Sequence, residues 1–258
     1  MRKTIVCGLV GAAMLVGAQA IRGRTASQEQ SSDKVKIGYD ASRENDPTTI
    51  ESMVRIAKAR GLNRINRGSP LEEPSILKGV DDAIDKFSTI VVTPTEKTTQ
   101  IQFLGVGVET IYRCKVAERV NLNKKAAVCC GTEDFRKFVR NIPNGDEIPE
   151  DEIYIRTAGG RVVIDGVEVE QEEWPAGLEV GHTYLVFLAH DESAKIGMMS
   201  TGGAFELEPD GRLTSKNAPS RYPNRLIEAI QEELGGSASR LKDRIQQRRT
   251  NINRPSIK

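Results

Sequence analysis

The chain has 258 residues, of which 38% are hydrophobic and 28% charged, and its 37 basic side chains nearly balance its 36 acidic ones. This ordinary composition, with 23 glycines and 11 prolines, excludes a collagen-like or wholly disordered chain. A formal net charge of +1 argues against a dedicated nucleic-acid binder, which normally has a strongly basic domain. No nucleic-acid partner is therefore expected.

The first twenty residues have the three parts of an export signal. Two cations, Arg2 and Lys3, precede an apolar run from Thr4 to Val16, and small residues follow up to Ala20. The apolar run is shorter than the roughly 20 residues of a membrane-spanning helix, which favours a cleaved signal over a retained anchor. We predict a signal peptide at 1–20 that is cleaved near Ala20, and hence an exported protein, either periplasmic or secreted.

The next two segments differ in their hydrophobic periodicity. Residues 21–46 are polar without a sustained period, which is typical of a flexible linker. Residues 47–87 are predicted to be a helical segment that packs on the domain after it. Its first helix follows an N-cap at Asp46 and ends at Gly61. Its second helix has apolar residues at helical spacing from Ile76 to Phe87.

From Ser88 onward the apolar period changes from 3.6 to 2, which is typical of strands. Asp165-Gly166 between two apolar runs is the strongest hairpin signal of the chain. Roughly seven strands with helices only before and after them predict a mainly β fold over residues 88–216, an antiparallel barrel or sandwich with flanking α-helices. The predicted strands cover 89–93, 106–116, 152–157, 161–164, 167–170, 182–190, 204–207 and 212–213.

Residues 217–258 are predicted to form a C-terminal helix and a basic tail. The helix covers Pro223 to Leu234 and ends at a glycine pair. The stretch from Ser237 has one acidic residue and too few apolar residues to pack well. It is either a plain solubilising tail or a contact for an envelope protein or a polyanionic envelope polymer. Its cations are Arg240, Lys242, Arg244, Arg248, Arg249, Arg254 and Lys258.

Signal cleavage would leave three cysteines, Cys114, Cys129 and Cys130, in a compartment where disulfides can form. Because three is odd, at least one thiol stays unpaired within the chain. A bridge from Cys114 to Cys129 or Cys130 would close a loop of about 15 residues and stabilise the fold by roughly 3 kcal/mol. The alternative is a buried, unpaired Cys114 beside two loop thiols. The sequence leaves both readings open.

No set of residues with a catalytic or metal-binding pattern stands out. On one strand, His182 and His190 would lie about 26 Å apart, too far to share a metal ion. The chain has neither a Gly-x-Ser-x-Gly elbow nor a His-Glu-x-x-His helix. We therefore predict no catalytic, cofactor-binding or metal-binding residues and no enzymatic activity.

Several other patterns have simple structural explanations. The acidic cluster lacks the alternating pattern of a calcium loop, which favours a solvated loop. The glycine pairs at 159–160 and 202–203 are interpreted as turns rather than anion cradles. Trp174 is interpreted as a large apolar anchor that closes the barrel. The acidic cluster comprises Asp146, Glu147, Glu150, Asp151 and Glu152.

Five segments between residues 85 and 212 carry a resemblance to a known family. They read STIVVTPT, YRCKVAERVNLNKK, IYIRTAGG, WPAGLEVGHTYLVFL and GGAFELEPDGRL. Their order and their apolar and glycine pattern resemble a domain of exported bacterial proteins and are similar to netrin-like and tissue-metalloproteinase-inhibitor modules. The resemblance implies an OB-type barrel. The inhibitors of that family chelate the catalytic zinc through a cysteine at the mature amino terminus, where this chain would have Ile21.

The leading functional interpretation is a non-enzymatic binding or interaction module of the cell envelope or extracellular space. A rigid barrel that presents ligand-facing loops is suited to such a role. The resemblance implies an alternative, an inhibitor of an exported protease. An enzyme with an unrecognised site is the remaining alternative.

Overall fold

A computed structural model describes residues 48–68, 77–102, 105–123, 142–143, 145–174, 177–190, 195–215 and 225–252. The predicted signal peptide and linker lie outside these residues. Of the described residues, 46% are in strands and 28% in helices, which confirms the prediction of a mainly β fold with flanking helices. None of the helices in the described part of the chain is long and apolar enough to cross a membrane.

The described part of the chain contains eight strands, with helices before and after most of them. They are α1 (Ile50–Ala59), β1 (Arg64–Asn66), α2 (Val80–Lys86), β2 (Ser88–Ile101), β3 (Val108–Asn121), a 3-10 turn (Gly145–Glu147), β4 (Glu152–Ile164), β5 (Val167–Trp174), β6 (Tyr184–His190), β7 (Ile196–Leu207), β8 (Leu213–Thr214), α3 (Arg225–Leu234) and α4 (Ala238–Ile252).

The strands form one sheet in the order β1-β5-β4-β3-β2-β6-β7-β8, with a further pairing of β4 with β7. A path along the paired strands from β4 through β3, β2, β6 and β7 therefore leads back to β4. Five strands joined in this way cannot all alternate in direction, so one pair must be parallel. That pair is β4–β7, and β1–β5 is parallel as well. The predicted sheet was wholly antiparallel, and the observed sheet is mixed.

Strand β6 has apolar side chains on both faces, as predicted, because each face contacts a separate core. Leu185 and Phe187 pack on one side against α2, α3 and α4. Val186 and Leu188 pack on the other side against β3 and β4. In that second core the hydroxyls of two buried tyrosines, Tyr112 and Tyr184, accept hydrogen bonds from the N–H groups of Leu178 and Glu179 at 3.2 and 3.0 Å.

The β4–β5 hairpin turns at Asp165-Gly166, as predicted, with φ values of 50° and 81°. Both values are positive, as the favoured two-residue hairpin turn requires. The predicted turn at Gly159-Gly160 is wrong, because both glycines lie within the continuous strand β4. A register shift against β5 occurs there, between Ala158 and Gly160. The two strands predicted at 152–157 and 161–164 are therefore one strand.

The two N-terminal helices are present, but both begin later than predicted. The side chain of Thr49 accepts a hydrogen bond from the Ser52 N–H and caps α1, and Gly61 follows the end of that helix in a left-handed conformation. Helix α2 begins at Val80, because Gly79 has an extended backbone that no helix continues through. The parallel edge strand β1 was not predicted, since three residues are too few to show a period.

The prediction that the chain packs poorly after Ser237 is wrong. Residues 238–252 form α4, and its side chains Ala238, Leu241 and Ile245 are buried in the core that α2 and α3 cover. These three residues recur at helical spacing, so few apolar residues are enough to give the helix one buried face. Helix α3 ends at Leu234 as predicted, and it is described from Arg225, because its predicted start at Pro223 lies outside the described residues.

Candidate functional site

The outer surface of β3, β4 and β7 carries a small apolar cluster that is separate from both main cores. Alternation along each strand directs Tyr112 and Ile155 inward and leaves their neighbours on the outer side. We call this surface the isoleucine face. It consists of Ile111 on β3, Tyr154 on β4, and Ile196 and Met198 on β7, and the residues packed on it are Ile142 and Ile148.

Residues 145–151, which we call the strap, cover the isoleucine face. The strap begins with the 3-10 turn, and the Ile148 side chain that follows is 2% exposed between Ile111 and Ile196. The strap is tied to the sheet at its end, where the Val116 N–H of β3 donates to the Asp151 carbonyl at 2.7 Å. A segment of the chain's own backbone therefore occupies this face.

Lys195, next to the first residue of β7, holds the strap at two points. Its Nζ donates to the Ile148 carbonyl at 2.9 Å and lies 2.7 Å from a carboxylate oxygen of Glu150. The Lys195 side chain is 12% exposed, whereas that of Glu150 is 88% exposed. The hydrogen bond from Lys195 lowers the pKa of Glu150 below its usual range.

An arginine on β3 forms one edge of the isoleucine face. Arg113 donates from Nε and Nη2 to the two oxygens of Glu152 at 2.8 and 2.9 Å, and from Nη1 to Glu96 at 3.3 Å. The bidentate hydrogen bonds to Glu152 raise the pKa of Arg113. Such paired bonds fix the geometry of the guanidinium.

A buried ion pair forms the opposite edge. Arg156 of β4 donates from Nε to Glu109 of β3 at 2.5 Å, and Gln100 of β2 donates to the other carboxylate oxygen at 2.7 Å. The Glu109 side chain is 0% exposed and that of Arg156 16%. Both oxygens of the buried carboxylate therefore have donors, which a charge at this depth requires.

The isoleucine face combines an apolar centre with charged groups at its edges. An apolar centre lies between charged groups that are already paired and held in place, which is the usual anatomy of an interface. This face was not predicted, because its members come from three strands and the segment before β4, which are distant from one another in the chain. The signal in the sequence is that Ile111 is apolar at an outward position of β3, where Glu109 and Arg113 on either side of it are charged.

Of the predicted disulfide residues, only Cys114 lies in the described part of the chain. Within the described residues its thiol is unpaired, and it is fully buried among the inner apolar residues and contacts the Tyr112 carbonyl at 3.8 Å. Burial raises the pKa of the thiol, which makes it unreactive as a nucleophile. Cys129 and Cys130 lie outside the described residues, so a bridge to either of them stays a prediction.

The two histidines lie at different ends of β6. His182 precedes the strand and contacts Glu206 at 2.6 Å and Glu179 at 3.5 Å. His190 ends the strand and shares a hydrogen bond of 2.7 Å with Ser88. Among the described residues, no three acidic, histidine or cysteine side chains are grouped so that they could hold a metal ion.

The contact between Ser88 and His190 could not be foreseen, because the two residues are 102 positions apart. The Ser88 hydroxyl also accepts a hydrogen bond from the Asn123 N–H at 2.7 Å. Both side chains are buried, so a reactant has no path to the hydroxyl without local opening. The pair links the start of β2 to the end of β6 and to the residues after β3.

Residues of the predicted acidic cluster and of the predicted basic tail form separate ion pairs with other parts of the chain. Within the acidic cluster, Glu150 pairs with Lys195, whereas Glu152 pairs with Arg113. Three cations of the predicted tail pair with acidic residues of the body, which lowers the charge left for a polyanion. These pairs are Lys242 with Glu118, Arg244 with Asp81 and Arg248 with Asp85. The side chain of Trp174, at the end of β5, lies outside the described residues.

Comparisons of the chain with protein-family models, curated protein sequences and solved structures give no match.

Proposed function

We propose that the chain is a non-enzymatic binding module of the cell envelope or extracellular space, and that the isoleucine face binds its partner protein. The observation that carries the proposal is the strap itself. A stretch of polypeptide lies on this face with its isoleucine buried and its carbonyl bonded to Lys195. The face therefore has the apolar contact and the hydrogen-bond donor that recognition of a peptide requires.

We further propose that β2, β3, β4, β6 and β7 form a closed OB-type barrel. The proposal is supported by the run of pairings from β4 through β3, β2, β6 and β7 and back to β4. In OB-folds the second and third strands form the usual ligand face. Counted along the five strands, these are β3 and β4, which carry Ile111 and Tyr154. The strand order and the strap thus point to the same surface by separate arguments.

The predicted export signal at residues 1–20 supports the location that we propose. Cleavage near Ala20 would place the protein in the periplasm or outside the cell. Secreted and envelope proteins meet their partners in a compartment where cytosolic cofactors are absent. A module that binds another protein through one face fits that setting.

Site-specific photo-crosslinking in the producing cell tests the proposed function. A photoreactive residue replaces Glu150, at the rim of the isoleucine face, and in a matched protein it replaces Val163, an exposed residue on the β4–β5 hairpin. We expect a discrete adduct with a second protein from position 150 and none from position 163. Absence of an adduct at position 150, or the same adducts at both positions, overturns the proposal.

A second candidate function is inhibition of an exported protease. The order of strand pairings favours it, because the netrin-like and inhibitor modules that the sequence resembles have an OB-type barrel. Incubation of the mature protein with a panel of metallo-, serine and cysteine proteases tests it. Stoichiometric inhibition of one class would support this function, and failure to inhibit any class would eliminate it.

A further inference from the structure

We infer that the strap is an internal ligand of the isoleucine face, and that the partner of this face is a peptide with an aliphatic side chain followed two residues later by a carboxylate. This inference rests on the proposed function, since it names the chemistry that the same face would recognise. The strap displays that chemistry in Ile148, Pro149 and Glu150.

The aliphatic requirement follows from the position of Ile148. Its side chain is buried against Ile111 of β3 and Ile196 of β7, both of which are buried themselves. All three side chains are branched aliphatic groups without polar atoms. A polar side chain in the place of Ile148 would lose its hydration without gaining a partner. The site therefore selects an aliphatic residue at this point.

The carboxylate requirement follows from Lys195. Its ammonium group contacts both the carbonyl of the buried isoleucine and the carboxylate two residues further on. A single cation therefore binds one backbone group and one charged side chain of the same segment. Glu150 is mostly exposed, so its carboxylate is held by charge and hydrogen bonding rather than by packing. Pro149 between them is also exposed, so the middle position is little specified by contact with the face.

The attachment of the strap determines how a partner gains access. A segment that belongs to the same chain is present at a high effective concentration, in the millimolar range for short flexible links. A free peptide of the same chemistry must displace the strap. In the wild-type protein it therefore binds weakly, because the attached strap competes for the same face. Weakening the strap should therefore reveal a binding site that the wild-type protein conceals.

The test uses a fluorescein-labelled synthetic peptide with the sequence of residues 142–152 as the probe, and fluorescence anisotropy as the measurement. The full-length variant Ile148→Ser releases the aliphatic contact of the strap. We expect it to bind the peptide at least tenfold more tightly than the wild type does. Two altered peptides are compared with the original peptide. One with serine at the position of Ile148 should bind this variant at least tenfold more weakly, and one with glutamine at the position of Glu150 should bind it severalfold more weakly at low salt.

A second variant keeps the test decisive if Ile148→Ser fails to fold. Glu150→Gln removes one exposed carboxylate that contacts Lys195 and leaves the core untouched, so we expect a severalfold gain in peptide binding. Asp151→Asn is its matched control, because it removes a neighbouring exposed charge, and it should bind like the wild type. Equal binding to wild type, Glu150→Gln and Asp151→Asn, or no binding to any folded variant, overturns the inference. An adduct from position 150 without peptide binding by any folded variant would retain the proposed function and overturn only the peptide chemistry inferred here.

Discussion

Arg244 on α4 donates two hydrogen bonds to Asp81 on α2. Its Nε and Nη2 each donate to a different carboxylate oxygen at 2.8 Å. One helical turn further along both helices, Arg248 donates to the two oxygens of Asp85 at 3.1 and 2.6 Å. The equal spacing of four residues sets the register between α2 and α4. The planar guanidinium suits this paired geometry, which a lysine could not reproduce.

The first prediction concerns what attaches α4 to the body. Leu241→Ala should lower the free energy of unfolding by about 2–5 kcal/mol, because the leucine is fully buried and its loss leaves a cavity. Arg244→Gln should lower it by only about 0.2–1 kcal/mol, as is usual for an exposed ion pair. Urea unfolding followed by circular dichroism measures both values. An arginine variant as unstable as the leucine variant would show that charge, rather than apolar burial, holds the helix.

The second prediction concerns how the contribution of Asp81 to stability depends on pH. The hydrogen bonds from Arg244 lower the pKa of Asp81 below its usual value. A carboxyl group with a lowered pKa in the folded state stabilises the fold above its unfolded pKa of about 3.9, and this stabilisation is lost as the pH falls through the folded pKa. The stability difference between wild type and Asp81→Asn should therefore be constant from pH 7 to about 5 and should shrink below about 4.

Urea unfolding at pH 7, 5 and 3 measures that difference. The same substitution in the Arg244→Gln background is the control, because the hydrogen bonds that lower the pKa are then absent and only the charge of Arg248, 3.7 Å from Asp81, remains. A difference that persists unchanged at pH 3, or one that is equally dependent on pH in the control background, would contradict the prediction.

The third prediction concerns the buried pair of Glu109 and Arg156. Arg156→Met should destabilise the protein by about 3–5 kcal/mol, because it leaves a buried carboxylate without its cation. Adding Glu109→Gln should restore part of that loss, since the amide can still accept the hydrogen bond from Gln100. A double-mutant cycle with urea unfolding measures the coupling. Additive effects of the two substitutions would show that the pair does not act as a unit.

Local signals in the sequence predicted the elements whose residues determine their own conformation. The Asp-Gly turn at 165–166 and the two-faced strand β6 are as predicted, because turn chemistry and alternation are encoded within a few residues. The parallel pairing of β4 with β7 was missed, because it joins two strands that are distant in the chain and no local pattern connects them. Helix α4 was misjudged because net charge was weighed above the spacing of Ala238, Leu241 and Ile245.

The candidate site was much less predictable than the fold. Ile111, Ile148 and Ile196 are ordinary apolar residues in sequence, and only the pairing of β3, β4 and β7 brings them together. The acidic cluster of residues 146–152 was predicted to be a solvated loop. The partners of Glu150 and Glu152 are Lys195 and Arg113, which are distant in the chain, so no local pattern could reveal the pairing.

The fourth prediction separates backbone strain from steric overlap in strand β4. Gly159 has φ of +90°, and a Cβ atom there would lie 2.0 Å from the Glu172 carbonyl oxygen. Gly211 has a similar φ of +83° but open space around it. Gly211→Ala should cost about 1–2 kcal/mol of stability from conformation alone. Gly159→Ala should cost at least twice as much in the same urea assay, because a backbone atom of β5 must move. Equal losses would show that β5 yields without penalty.

The fifth prediction concerns Cys114, whose burial raises the pKa of its thiol. In the native protein the thiol should react with iodoacetamide at least a hundredfold more slowly than in 8 M urea, because reaction requires local or global unfolding. Mass spectrometry of peptides from the labelled protein measures both rates. Labelling in urea without a reductant then decides whether the thiol is free in the purified protein. Labelling that appears only after reduction would show that Cys114 is bridged, and fast labelling of the folded protein would show that its site opens readily.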